Sequence, residues 1–240
     1  MSAKLAKIVK VLSIALLAGV LPQTNSTTAA QQNTATAIDM LLEPDATMLD
    51  KAQANNAQLL KVFPKGYTLD EAHRPHITLL QRFVRTEDLD KVYLAVGQVF
   101  SAANVTNLKL KAFKYSYTPG GDIGIANIVV EPTPELLKLQ QDLITAVAPF
   151  TLETGPIAAF TAPQDTPAKD ALLIDYVASF VPKQTAEHFD PHVSTGVAPK
   201  DYLEKMTAEP FEAFSFSPAG SAVYHIGPYG TAAKKLKEWD

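Results

Sequence analysis

The sequence predicts an α+β fold rather than a doubly wound parallel sheet, and three observations predict it. Stretches of strand and helix periodicity alternate irregularly, two neighbouring strand-like runs are joined by a Gly-Gly turn, and no glycine-rich nucleotide-binding turn follows a strand. Of the 240 residues, 47% are hydrophobic and 19% charged, the balance of a globular chain with one sizeable domain or two small lobes sharing a core. Cysteine is absent, which excludes disulfides, zinc–thiolate sites, iron–sulfur clusters and cysteine nucleophiles.

Residues 1–30 read as an export signal. Lys4, Lys7 and Lys10 precede an apolar run from Val11 to Leu21, interrupted only by Ser13 and Gly19, and Thr28-Ala29-Ala30 offers a small-residue cleavage site. The run is short for a membrane span, so no stable membrane insertion is expected after cleavage. The expected mature chain, 31–240, is one domain in a periplasmic or secreted setting. Losing three lysines and no acids takes the net charge from −4 to −7. Such a chain lacks the broad basic face that long nucleic acid needs, so any phosphate it holds is expected in a small, local site.

The elements follow in order. Ala37 to Leu42 is an apolar strand closed by Glu43-Pro44, and Asp45 caps a helix to about Val62. Pro64-Lys65-Gly66 turns the chain into a strand bearing His76 that extends to about Val84. Thr86-Glu87-Asp88 opens a helix to about Ala103, with Leu89, Val92, Val96 and Phe100 at helical spacing. Leu108 to Tyr115 alternates strictly and forms a hairpin with Ile123–Val130 across the turn Thr118–Asp122. Thr133-Pro134-Glu135 starts a further helix. Residues 150–167, rich in Pro, Thr and Gly, form an irregular stretch suited to the rim of a site. A helix from Ala168 to Phe180 is ended by Pro182. The chain closes with a strand from His192 to Val197, a short helix at Asp201–Met206, strands at Phe211–Phe216 and Ala222–Ile226, and a helix from Thr231 to Trp239.

One pattern occurs twice. Pro75-His76-Ile77-Thr78 and Pro191-His192-Val193-Ser194 each place a proline before a histidine and a hydroxyl two residues after it. On a strand, residues two apart share a face, so each repeat sets an imidazole beside a hydroxyl over an apolar backing. Histidine can give or take a proton near neutrality, and a hydroxyl can donate to an oxyanion, so two such pairs around one phosphate suit acid–base cleavage of a diester.

The pair resembles the twin His-x-Thr/Ser signature of the two-histidine (2H) phosphoesterase superfamily, which includes bacterial 2′-5′ RNA ligase-like proteins and 2′,3′-cyclic phosphodiesterases. The closing pattern Ala222-Val223-Tyr224-His225-Ile226-Gly227 is also similar to the last strand of that family. The resemblance implies a bilobal α+β fold, with two antiparallel sheets around a central groove and helices outside. It implies His76 and His192 as the catalytic pair, Thr78 and Ser194 as phosphate-binding residues, and no metal or cofactor. The implied substrate is a nucleotide or short RNA with a cyclic phosphate or a 2′-5′ linkage, hydrolysed or reversibly formed. Two other classes are weighed beside it: a non-catalytic nucleotide- or phosphate-binding protein on the same fold, and a phosphoesterase for a non-nucleotide diester.

Several features read more simply. His73 and His188 stand close before the motif histidines, but Pro75 and Pro191 break the helical geometry that a local metal pair would use. His225, in an apolar strand, reads as structural or rim-lining. Glu131 and Glu135 belong to a turn and a helix start, and Lys114, Tyr115 and Tyr117 to an edge strand. Thr195 would replace Ser194 if the register slipped by one.

Overall fold

The computed structural model describes residues 34–239. The leader read in residues 1–30 lies outside them. The chain runs β1 (Ala35–Pro44), α1 (Ala46–Val62), β2 (Ile77–Arg85), α2 (Leu89–Ala103), β3 (Leu110–Gly120), β4 (Ile123–Val130), α3 (Pro134–Val147) and β5 (Thr151–Leu152). It continues through α4 (Pro167–Ala178), α5 (Phe180–Gln184), β6 (His192–Pro199), α6 (Lys200–Ala208), β7 (Phe214–Phe216), β8 (Pro218–Ile226) and β9 (Ala232–Trp239). Two sheets result, a five-stranded one in the order β5-β2-β1-β8-β9 and a four-stranded one in the order β6-β4-β3-β7. Every pairing is antiparallel, so the α+β expectation holds.

Alternation on β1 assigns its two faces. Ile38, Met40 and Leu42 enter the main core with Val92, Val96 and Phe100 of α2 and Leu136, Leu139 and Leu143 of α3. Ile77 and Leu79 of β2 and Val193 of β6 belong to the same core. The apolar residue after each motif histidine is therefore buried in one shared cluster, which anchors both motif strands from behind. β6 is fixed from its other side by α1, where the buried Asn56 donates from Nδ2 to the Thr195 and Tyr67 carbonyls, at 2.8 and 2.9 Å. These bonds satisfy two backbone acceptors that packing would otherwise strand.

Helix starts follow their sequence signals. Asp45 accepts from the Met48 amide, Thr133 from Leu136 and Thr166 from Lys169, each at the N-cap. Three expectations are corrected. The hairpin is longer than its turn residues suggested, with the β3–β4 ladder continuing to Gly120 opposite Ile123, so that only Gly121 and Asp122 turn. Pro182 lies inside α5, in a first turn where its missing N–H costs nothing.

The largest correction is at the C-terminus, where Ala232–Trp239 is an edge strand and not a helix. Tyr229 and Gly230 adopt left-handed backbone, φ 59° and 79°, and reverse the chain so that it runs back along the open edge of β8. Pairing from Ile226–Ala232 to Ser221–Trp239 satisfies that edge, which outweighs the helix propensity of Ala-Ala-Lys-Lys-Leu-Lys. Trp239 then packs beside Phe100 of α2, 5.6 Å between ring centroids. A Cβ on Gly97 would approach the Trp239 indole nitrogen to 2.6 Å, so the contact needs glycine there.

Candidate active site

His76 stands one residue before β2 and His192 opens β6. Their surroundings repeat closely. The Nδ1 of His76 lies 2.6 Å from the Arg74 carbonyl, and the Nδ1 of His192 lies 2.7 Å from the Asp190 carbonyl. A carbonyl only accepts, so each Nδ1 carries the hydrogen and each neutral ring presents a bare Nε2. The residue skipped in each case is the proline. Its ring fixes φ between the carbonyl and the imidazole, which limits the freedom of the loop that brings the two together. The prolines thus have a positive role beyond excluding a helical metal pair.

Each motif is followed by a β-bulge. In the β1–β2 ladder Leu80 faces Met40 and Thr78 faces Leu41, which leaves Leu79 as the extra residue. In the β4–β6 ladder Gly196 faces Ala126 and Ser194 faces Asn127, which leaves Thr195 extra. Bulges re-aim side chains next to functional sites. Here the first one brings Gln81 into phase with Thr78, although the two are three residues apart. The second settles the register question. Ser194 shares the His192 face, while Thr195 is fully buried and donates to Asn55 Oδ1 at 2.6 Å.

The two hydroxyls differ in what receives them. Thr78 Oγ1 donates to Asp39 Oδ2 at 2.9 Å, and Gln81 Nε2 donates to the same oxygen at 2.8 Å. His76 Nε2 is 3.8 Å from that oxygen. Ser194 Oγ donates to Asn127 Oδ1 at 3.0 Å, and Asn127 Nδ2 donates in turn to Thr118 at 3.1 Å. A buried acid thus stands behind the first motif and a buried neutral amide behind the second.

Asp39 is fully buried for a reason visible on its strand. On one side of it, Ala37 packs with Phe83, Phe160, Leu173 and Val177; on the other, Leu41 packs with Ala222, Tyr224 and Ala232. Burial raises the Asp39 carboxyl from its ordinary 3.8 to about 6, against the opposing pull of His76, Gln81 and Thr78. Tyr176 on α4 feels that carboxylate, and burial together with the Asp39 charge pushes its phenol up to about 12.

The raised Asp39 has a sign that can be checked. The folded state holds this proton more tightly than the unfolded one, so the stability it gives is full below pH 3.8 and is lost as pH rises through about 6. Between pH 5 and 7.5 the loss amounts to about 1.4 kcal/mol, or ~3–6 °C in thermal midpoint for a domain of this size. Thermal unfolding of wild type and Asp39→Asn at both pH values should show that component in the wild type alone.

The remaining histidines are accounted for by local contacts. His73 stacks on Tyr67, 4.4 Å between centroids, and bonds Asp70 at 3.1 Å, while His188 is exposed beside Glu187. His225 Nε2–H donates to the Ala159 carbonyl at 2.8 Å, a structural role that pins the irregular stretch 150–167 to β8. Through Ala159 and Phe160 that stretch covers the apolar patch beside Asp39. Among the described residues no cluster of three or more His, Asp or Glu is placed to hold a metal ion.

Sequence reasoning missed Asp39, Gln81 and Asn127. A signal existed for two of them. Asp39 is a lone acid within Ala37-Ile38-Asp39-Met40-Leu41-Leu42, and Asn127 a lone amide within Ile125-Ala126-Asn127-Ile128-Val129-Val130. Polar residues inside apolar strands are satisfied by specific partners, and those partners are here the two motif hydroxyls.

Comparison with known proteins finds no family model that matches the sequence and no curated protein that does. Among solved structures, TT0787 of Thermus thermophilus is similar, with a TM-score of 0.50 and 16% identity over 85% of this chain and 97% of that one. Usb1 of Kluyveromyces marxianus covers the same shares, at a TM-score of 0.35 and 10% identity. At such identity the likeness to TT0787 is one of fold alone.

Proposed function

We propose that this chain is an exported phosphodiesterase that works without a metal, using its two His-x-Thr/Ser motifs to hydrolyse, or reversibly form, a cyclic phosphate or a 2′-5′ linkage in a nucleotide or short RNA. The observation that supports this reading best is the matched tautomer of the two imidazoles. Each Nδ1–H is held by a backbone carbonyl, so each neutral ring keeps its Nε2 as a proton acceptor. One Nε2 can then take a proton while the other gives one, and no metal-bound water is needed to supply the nucleophile. The hydroxyls of Thr78 and Ser194 are the donors for non-bridging oxygens, once phosphate displaces Asp39 and Asn127 as their acceptors. The acidic mature charge fits a small substrate better than long RNA. Export rests on the basic and apolar leader, and among the described residues no helix is long and apolar enough to cross a membrane.

The test is a substrate panel assayed in excess chelator: nucleoside 2′,3′-cyclic phosphates, 2′-5′ dinucleotides and simple aliphatic phosphodiesters. Turnover of the first or second set is expected. Nucleotide binding by calorimetry with no turnover of any member would replace the enzyme reading with a binding protein, and turnover of the aliphatic esters alone would move the substrate out of the nucleotides.

A further inference from the structure

We propose that Asp39 is a positioning residue that makes the two imidazoles unequal, holding a proton at His76 Nε2 so that His76 is the general acid and His192 the general base of diester hydrolysis. This rests on the phosphodiesterase reading and deepens it, because the motifs alone leave the roles interchangeable.

The two motifs are near-copies that differ in one place. Proline, Nδ1–carbonyl bond, hydroxyl and following bulge are common to both motifs. What differs is the group behind each hydroxyl. At the first motif it is a buried carboxyl whose Oδ2 lies 3.8 Å from His76 Nε2 and whose Oδ1 has no partner. A bare Nε2 lone pair facing a carboxylate is a repulsive contact, which one proton held between the two groups converts into an attractive one. Burial disfavours the ionised Asp39, so a proton shared between the two groups is held to higher pH than an exposed carboxyl would hold it. At the second motif Asn127 is neutral and satisfied at both ends, by Ser194 and Thr118. Among the described residues no carboxylate pairs with His192, so its Nε2 is the better placed of the two to accept a proton.

Other ionisable groups near Asp39 do not compete for this role. Tyr176 on α4 is a phenol pushed up to about 12. Tyr224, opposite Asp39 on β8, donates its hydroxyl to Glu43 at 2.7 Å, and Lys235 neutralises Glu43 at 2.8 Å. His225 is held by the Ala159 carbonyl.

The step balances. The oxygen of a water forms a bond to phosphorus while the bond from phosphorus to the leaving alcohol oxygen breaks. The water proton passes to His192 Nε2, and the His76 Nε2 proton passes to the leaving oxygen. One water is thereby added across the P–O bond, and the two imidazoles have exchanged protonation states.

A leaving-group comparison tests this. A cyclic phosphate expels an alkoxide that needs a proton, whereas a p-nitrophenyl nucleotide diester expels a phenolate that does not. We expect Asp39→Asn, which keeps the shape and removes the charge, to slow the cyclic substrate at least tenfold and to move the alkaline limb of its pH profile downward. The p-nitrophenyl diester should slow far less. His76→Ala should show the same split, and His192→Ala should slow both. Equal loss on both substrates with Asp39→Asn would mark Asp39 as structural, and a split seen in His192→Ala rather than His76→Ala would reverse the roles. Should the asparagine protein not fold, Asp39→Ser gives the same comparison, and the histidine variants still decide the roles. Wild-type rates in both histidine variants would overturn the phosphodiesterase reading itself, an outcome distinct from failure of the Asp39 arm alone.

Discussion

Alanine at His192 is expected to lower kcat for a nucleoside 2′,3′-cyclic phosphate by about 10²–10⁴-fold, the usual contribution of a positioned proton-transfer group. Stability should change little. The ring is only partly buried and its hydrogen bond runs to the Asp190 carbonyl of the same segment, so no other element depends on it. The packing of β6 rests instead on Val193, which is fully buried. A thermal midpoint within ~4 °C of wild type is therefore expected, corresponding to no more than about 1 kcal/mol. Steady-state kinetics and a melting curve on one preparation check both halves. Retained activity would remove His192 from the chemistry, and a collapse in stability would mean that its contacts matter more than its proton.

The second large effect is expected at Ser194. Replacing it with alanine removes the hydroxyl offered to a non-bridging oxygen and should cost about 10²–10³-fold in kcat, as loss of one oxyanion donor does elsewhere. The accompanying loss of the bond to Asn127 is worth only about 1 kcal/mol, so the damage to catalysis should far exceed the damage to the fold. Ser194→Thr keeps the hydroxyl on a stiffer side chain and should retain most activity. Thr195→Val provides the contrast. That hydroxyl bonds Asn55 and the Ala126 carbonyl inside the protein, so its loss should lower the melting temperature and leave kcat largely in place. An active Ser194→Ala protein beside an inactive Thr195→Val protein would exchange the two assignments.

Much of the fold was legible because its signals are local. Capping by Asp45, Thr133 and Thr166, and the apolar spacing along α2 and α3, depend on residues within a few positions of one another. The final strand was not legible, because its cause is the unpaired edge of β8 and a reversal at Tyr229-Gly230, while its own residues favour a helix. The same division runs through the site. His76, Thr78, His192 and Ser194 could be picked out as a repeated motif, and the structure gives both copies the same local geometry. Asp39 could be seen as an odd residue in an apolar run, but not as a partner of Thr78. That pairing depends on how β1 registers with β2, and on a bulge at Leu79 that strict strand alternation does not foresee. Asn127 is hidden in the same way, since it meets Ser194 only through the β4–β6 ladder.

The carbonyls of Arg74 and Asp190 bear on how such a site can vary over evolutionary time. In many enzymes the group that orients a catalytic imidazole is a carboxylate side chain, and one codon change removes it. Here the orienting atom belongs to the main chain, so Arg74 and Asp190 can be exchanged for almost any residue while their oxygens stay where they are. Each five-residue stretch, 74–78 and 190–194, carries its own tautomer control. Drift in the surrounding sequence, even to the point where little recognisable similarity remains, can therefore leave both imidazoles aimed as they were, because the aim depends on the local backbone and not on the side chains around it.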